Sequence, residues 1–186
     1  MWQEIRDDYR IHGRSFTNGA FWALLVYRYG VWSLQRRFKP WRWVTSKVYG
    51  VLKIVIEMTT GVLLDRTTRI GKGFHIIHTG MVSIHPAAVI GERVGIMHNV
   101  TLGTNMGEDA PVIGNDVFIG CGASVLGKIK IGDGARIAAN SLVISDVPPG
   151  AVAIGVPAKV MPDLSKLRKP PVAPAPKAAD GTPATV

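Results

Sequence analysis

A branched aliphatic residue returns at every sixth position through most of this chain. It runs from Ile70 and Ile76, through Ile84, Ile90, Ile96 and Leu102, to Ile113, Ile119, Val125, Ile131, Ile137 and Val143. Six is neither the strand period of two nor the helical period of 3.6, so no single element accounts for it. A hexapeptide period held over this many cycles is the signature of a parallel β-helix. Glycine often follows the aliphatic position, as in Ile70-Gly71, Ile90-Gly91, Ile113-Gly114, Ile119-Gly120 and Ile131-Gly132. A residue without Cβ lets the backbone turn a tight corner there. Each hexapeptide then forms one face of a triangular prism with its aliphatic side chain inward. Three faces make a coil, and coils stack at about 4.8 Å.

The count of six breaks twice. Ile76 to Ile84 carries two extra residues, and Leu102 to Ile113 carries five. Insertions in a solenoid emerge as loops, often on the binding face. The second, Gly103-Thr104-Asn105-Met106-Gly107-Glu108-Asp109-Ala110-Pro111, is rich in turn formers and is expected to project outward. The chain divides into a helical segment at 1–60, a β-helix at 61–160 and a Pro/Ala-rich tail at 161–186 without apolar period, expected to be disordered. In the first segment Phe21, Leu24, Leu25 and Arg28 hold helical spacing behind the capping types Ser15, Thr17 and Asn18. Pro40 divides the segment, and a second helix is expected from Trp41 to Met58.

Charge is unevenly placed. Of the net +9, residues 1–60 contribute +6, with ten Lys/Arg against Glu4, Asp7, Asp8 and Glu57. All five tryptophans (Trp2, Trp22, Trp32, Trp41 and Trp43) lie in the same segment. Most are expected to pack the helices onto the first coil or onto neighbouring subunits. The alternative for Trp41 and Trp43, beside Arg36, Arg37, Lys39 and Arg42, is an amphipathic anchor at a membrane surface. No nucleic-acid module accompanies the basic charge. The single cysteine, Cys121, excludes an intrachain disulfide and fits a reducing compartment. The first residues lack a signal-peptide pattern, and no stretch of about 18 uncharged apolar residues is present.

Four histidines fall in the first coils: His75, His78, His85 and His98. His78 follows the inward Ile76 by two positions, and His98 follows Ile96 by two. Their twenty-residue separation is one coil plus the two-residue insertion, so they stack on one face. A neutral imidazole in a cleft is the usual general base near neutral pH. His75 and His85 are read as surface or corner residues, the latter because it precedes Pro86. No carboxylate or cysteine shares the register, so no metal site is expected.

The stretch Ile70-Gly71-Lys72-Gly73-Phe74-His75-Ile76-Ile77-His78-Thr79-Gly80, with Asn99-Val100-Thr101-Leu102-Gly103 and Gly155-Val156-Pro157-Ala158-Lys159, resembles the serine acetyltransferase-like branch of the hexapeptide acyltransferases. Phe21-Trp22-Ala23-Leu24 with Tyr27-Arg28 and Trp32 is similar to that branch's helical segment. The resemblance implies a left-handed parallel β-helix, a homotrimer, acetyl-CoA as donor and an active site between subunits. It places His78 at the catalytic histidine, and the shared register makes His98 its partner, orienting the acceptor or the base. Gly103, Cys121 and Ala139 then line the pantetheine groove and Lys159 meets the nucleotide phosphates. Cys121 itself is expected to be a small buried side chain rather than a nucleophile.

Departures from that branch bear on the acceptor. The aspartate fifteen residues before the catalytic histidine is Leu63 here, and the one directly before it is Ile77. The Arg-His-Pro that grips the acceptor's carboxylate corresponds to Asp109-Ala110-Pro111. Losing the clamp removes an ion pair and adds a repulsive charge. On this ground the pattern is closer to colanic acid O-acetyltransferases of exopolysaccharide clusters, with Asp65 and Asp109 near the acceptor. The expectation is O-acetylation of a glycan or lipid-linked saccharide in the cytoplasm, peripherally held at the inner membrane face. The alternatives are a serine O-acetyltransferase with an altered clamp and a non-catalytic trimeric scaffold.

Overall fold

The computed structural model describes residues 2–107 and 109–162; the expected tail lies outside them from residue 163 onward. Three helices lead: α1 (Trp2–Ile11), α2 (Gly19–Leu34) and α3 (Lys39–Thr60). Asn18 caps α2, its Oδ1 accepting the Ala20 N–H at 2.9 Å. Helix α3 begins two residues earlier than expected, because Pro40 occupies its first turn, where the missing N–H costs nothing. It ends at Gly61, whose φ of +67° and N–H to the Glu57 carbonyl form a left-handed cap.

The rest is a parallel β-helix with three sheets. The first holds β1 (Val62–Leu64), β4 (Val82–Ile84), β7 (Thr101–Gly103), β10 (Ser124–Leu126) and β13 (Leu142–Val143), in that order. The second holds β2 (Arg69–Ile70), β5 (Val89–Ile90), β8 (Val112–Ile113) and β11 (Lys130–Ile131). The third holds β3 (His75–Ile76), β6 (Gly95–Ile96), β9 (Phe118–Ile119), β12 (Arg136–Ile137) and β14 (Val152–Gly155), closed by the antiparallel β15 (Ala158–Met161).

Register follows the hexapeptide arithmetic. Ser83 faces Thr101, eighteen positions on, and Ser124 faces Leu142 at the same interval. Val62 faces Val82, twenty positions on, and Thr101 faces Ser124, twenty-three on, so each insertion leaves the ladder as a loop. Met106, in the longer loop, is fully exposed.

Eleven of the twelve six-fold residues are buried; Ile70, in the first coil, is only partly covered. Each coil also buries the residue two positions earlier, such as Phe74, Val82, Val94, Val100 and Val117. That follows from strand alternation, in which i and i−2 share a face. The corner glycines allow close stacking: a Cβ on Gly71 would lie 2.5 Å from the Gly91 carbonyl oxygen, and one on Gly91 equally close to that of Gly114.

Helix α2 caps the open end of the solenoid, with Ala20, Ala23, Leu24 and Tyr27 in the same apolar cluster as the coils. Polar bonds pin it there. Tyr27 Oη donates to the Thr68 carbonyl at 2.8 Å, and Arg66 donates to Ser33 Oγ at 2.9 Å and Ser46 Oγ at 3.1 Å. Asp8 and Arg28, both buried, join α1 to α2 at 3.1 Å. Burial pushes the Asp8 carboxyl above its usual range, although Arg28 works in the other direction.

The tryptophans do not enter the core of the protomer. None of the five is buried, and Trp41 and Trp43 are 52% and 65% exposed. Only Thr45 and Tyr49 of the 22 residues of α3 are buried, because the helix meets α2 and the first coil along one narrow line.

Ile96 is fully buried in a middle coil. Ile96→Ala is therefore expected to cost about 2–5 kcal/mol, as core truncations do, read from denaturant midpoints of folded trimer or protomer at fixed concentration.

Candidate active site

Two edges of the prism carry the polar residues. The first edge joins the third sheet to the first. His78 lies on it, exposed in the bend between β3 and β4, and His98 lies one coil on, partly buried in the turn between β6 and β7. Their ring centroids are 6.0 Å apart. Backbone bonds fix the stacking along this edge: Asn99 N–H to the Gly80 carbonyl at 2.9 Å, Gly122 N–H to that of His98 at 3.1 Å, and Asn140 N–H to that of Cys121 at 2.8 Å. His78, His98, Cys121 and Ala139 thus form one column. Cys121 is partly exposed rather than buried, since it sits at the corner and not on an inward position.

A buried histidine that the hexapeptide pattern did not disclose supports this edge from below. His12, 3% exposed at the end of α1, accepts the Ile76 N–H at Nε2 (3.3 Å) and bonds the Asp8 carbonyl through Nδ1 (2.7 Å). These partners assign the neutral tautomer with its proton on Nδ1. His12 packs edge-on against His75 at 4.9 Å. Burial, with His12 and His78 nearby, lowers the His75 pKa below that of a free imidazole. The N-terminal helices therefore brace the strand that ends two residues before His78.

The second edge joins the first sheet to the second, at the opposite end of β4. A cavity of about 400 Å³ opens there, lined by Lys53, Glu57, Leu63, Asp65, Ser83, His85, Gly103 and Thr104 among others. That size suits a small ligand. Lys53 Nζ donates to Asp65 Oδ2 at 2.9 Å and lies 3.6 Å from Glu57. Partial burial opposes both charges, yet bonds from Thr67 and Lys53 hold Asp65 below the usual carboxylate range. Asp65 in turn outweighs burial to raise Lys53. His85 keeps its corner role, its Nδ1 accepting the Ala87 N–H at 3.2 Å, while also lining the cavity.

The expected site residues are thus split within one protomer. Gly103 ends β7 on the second edge, apart from the Cys121 and Ala139 column with which it was grouped, because β7 runs from one edge to the other. Asp109 lies in the long loop of that second edge, bonded to Lys128 at 3.2 Å, and Ala110 beside it is buried. Lys159 sits on β15 at the far end of the third sheet, opposite Ile154. Lys53 and Glu57 were not anticipated: they belong to α3, and nothing in their local sequence points to a cavity.

A family model described as bacterial transferase hexapeptide (six repeats) matches residues 110–145. The chain is 38% identical over 142 residues to the serine acetyltransferase of Helicobacter pylori strain J99, covering 75% of this chain and 79% of that protein. It spans 36–59% of longer serine acetyltransferases. Among solved structures, soybean serine acetyltransferase complexed with serine superposes with a TM-score of 0.70 at 33% identity, covering 86% of this chain and 68% of that one. A serine acetyltransferase in complex with CoA gives 0.71 at 27% identity, covering 85% and 68%. At 38% identity over most of both chains, and with the hexapeptide repeat matched, the chain belongs to the serine acetyltransferase-like family of hexapeptide-repeat acyltransferases.

Proposed function

We propose that this chain transfers an acetyl group from acetyl-CoA to an acceptor hydroxyl, with His78 as general base. The observation that carries the reading is the His78–His98 pair on an edge held in register by the coil ladder. A neutral imidazole nitrogen of His78 takes the hydroxyl proton as that oxygen attacks the thioester carbonyl carbon. Backbone N–H groups stabilise the tetrahedral oxyanion, and collapse expels the CoA thiolate, which takes the proton back from the imidazolium. His98 orients the acceptor or the base. Cys121, Ala139 and Lys159 are assigned to the CoA side. The paired histidines and the family both speak against a non-catalytic scaffold.

L-serine is the acceptor favoured by the relatives' names, and it replaces the glycan as the first reading. The second edge offers a chemical basis for it. Lys53 with Asp65 and Glu57 places both signs of charge in one small cavity, as a zwitterionic amino acid requires: ammonium to carboxylate, carboxylate to ammonium. This arrangement would be the altered clamp. In one protomer His78 and this cavity stand at opposite ends of β4, so the reading includes a cyclic trimer in which one protomer's first edge meets the next one's second edge.

A glycan hydroxyl, in exopolysaccharide synthesis, is the second reading, favoured by the long loop. There Asp109 already engages Lys128 and Ala110 is apolar and buried, so Asp109-Ala110 supplies no cation for a carboxylate. Leu63, 43% exposed in the cavity wall, likewise offers no charge.

Acetyl-CoA consumption by the purified chain separates the two. Saturable turnover with L-serine, with Lys53→Met raising KM far more than it lowers kcat, is the expected result. Transfer to glycan acceptors and none to L-serine would move the assignment to the second reading. His78→Ala is expected to lower kcat about 10²–10⁴-fold, the usual worth of general-base assistance, with circular dichroism unchanged. His98→Ala should cost less, and near-normal rates in both would remove His78 from the mechanism. Light scattering should report a trimer; a fully active monomer would exclude a site shared between protomers.

A further inference from the structure

We infer that the outer face of α3 and the turn before it form a docking surface for an anionic lipid bilayer. The surface begins with a spacing. Trp41, Val44, Val48, Val51, Val55 and Met58 follow one another at alternate intervals of three and four, which aligns them along one side of the helix. All six are between 43% and 82% exposed. Phe38, Trp43 and Ile54, 58–70% exposed, widen the stripe at its flank and at its N-terminal end. A solvent-facing helix is ordinarily polar on its outer side; this one is largely apolar there, its exposed charges Lys39, Arg42 and Lys47 all lying in its N-terminal half. An apolar groove of about 380 Å³ adjoins the stripe, lined in part by Trp2, Trp22, Leu25, Tyr29, Leu52 and Val55.

Charge identifies the occupant. No Asp or Glu occurs between Tyr9 and Ile56, a span that holds nine Lys/Arg. Arg36, Arg37, Lys39, Arg42 and Lys47 cluster where the stripe begins, and among the described residues none has a carboxylate within ion-pair distance. Arg36 stacks on Trp32 at 4.3 Å and Lys47 lies 5.8 Å from the Trp43 ring. Basic side chains beside exposed tryptophan and aliphatic residues are the composition of an interfacial helix: the rings and branched chains enter the headgroup boundary while the cations meet lipid phosphates. No helix of the described residues is long and apolar enough to cross a membrane, so α3 lies on the surface. A second copy of α3 fits less well. Pairing would need carboxylates to answer this cluster, and Glu57, the one acidic residue on the helix, lies at the cavity beside β1 rather than on the stripe. The inference does not depend on the acceptor.

Vesicle flotation with the full chain tests it. Binding to vesicles of phosphatidylcholine with one-fifth phosphatidylglycerol, absent with pure phosphatidylcholine and released by high salt, is the expected result. The quadruple variant R36Q/R37Q/K39Q/R42Q should lose about 10²–10³-fold in partitioning, with turnover of a soluble acceptor unchanged. Val51→Asp with Val55→Asp should also abolish binding without changing the mass found by light scattering. Absence of binding to the anionic vesicles would overturn the inference. So would an aspartate variant that dissociates an oligomer while the parent shows no lipid preference, which would make the stripe an interface between copies of the chain.

Discussion

Every strand of the solenoid except the closing hairpin finds its partner a full coil away, and the backbone bonds between coils are the constraint on which the structure rests. Ile77 N–H reaches the Ile96 carbonyl, Met97 N–H that of Ile119, and Gly120 N–H that of Ile137, at 2.9–3.0 Å. A coil alone would leave these groups without partners, at the cost of any buried polar group left unpaired. Stacked coils satisfy them and at the same time align the inward aliphatic residues into one apolar column. Two-residue strands such as Gly95–Ile96 would be meaningless alone. They hold because the coils above and below repeat the same geometry.

The same ladder brings the candidate catalytic residues together. Residues with no special local conformation become a column when each turn spends eighteen residues plus whatever its corner loop inserts, so His78 and His98, twenty apart, meet through arithmetic rather than through a motif. Extra residues have to leave at a corner, since any slip along a strand would turn the inward face outward. The two-residue insertion leaves at the corner of the histidines, and the long loop with Asp109 leaves at the corner that also carries Asp65. Under the proposed function a site drawn from both edges needs two prisms side by side, since each carries its histidine pair and its charged cavity on different edges.

Much of the fold was legible because the hexapeptide period is long, regular and local. The inward positions, both insertions and the stacking of His78 on His98 follow from counting. The site was legible in part. His12 was not, because its role depends on the Ile76 N–H sixty-four residues away. Lys53 and Glu57 were hidden for the same reason: helical spacing shows which residues share a face of α3 but not that this face meets β1 and Asp65. The exposure of Trp41 and Trp43 in the protomer was equally hidden, because it follows from α3 touching its neighbours along one line.

The sequence by itself determined the coil: its length, its inward side chains, its glycine corners and the register of its histidines, all consequences of a period that a backbone can satisfy in one way. Only the tertiary structure decided which residues share a cavity, that Gly103 parts from Cys121 and Ala139, that a buried histidine braces the strand before His78, and that one helix is left with an apolar side uncovered. Those outcomes depend on where separate elements meet, and packing between elements far apart in the chain leaves no periodic trace in either of them.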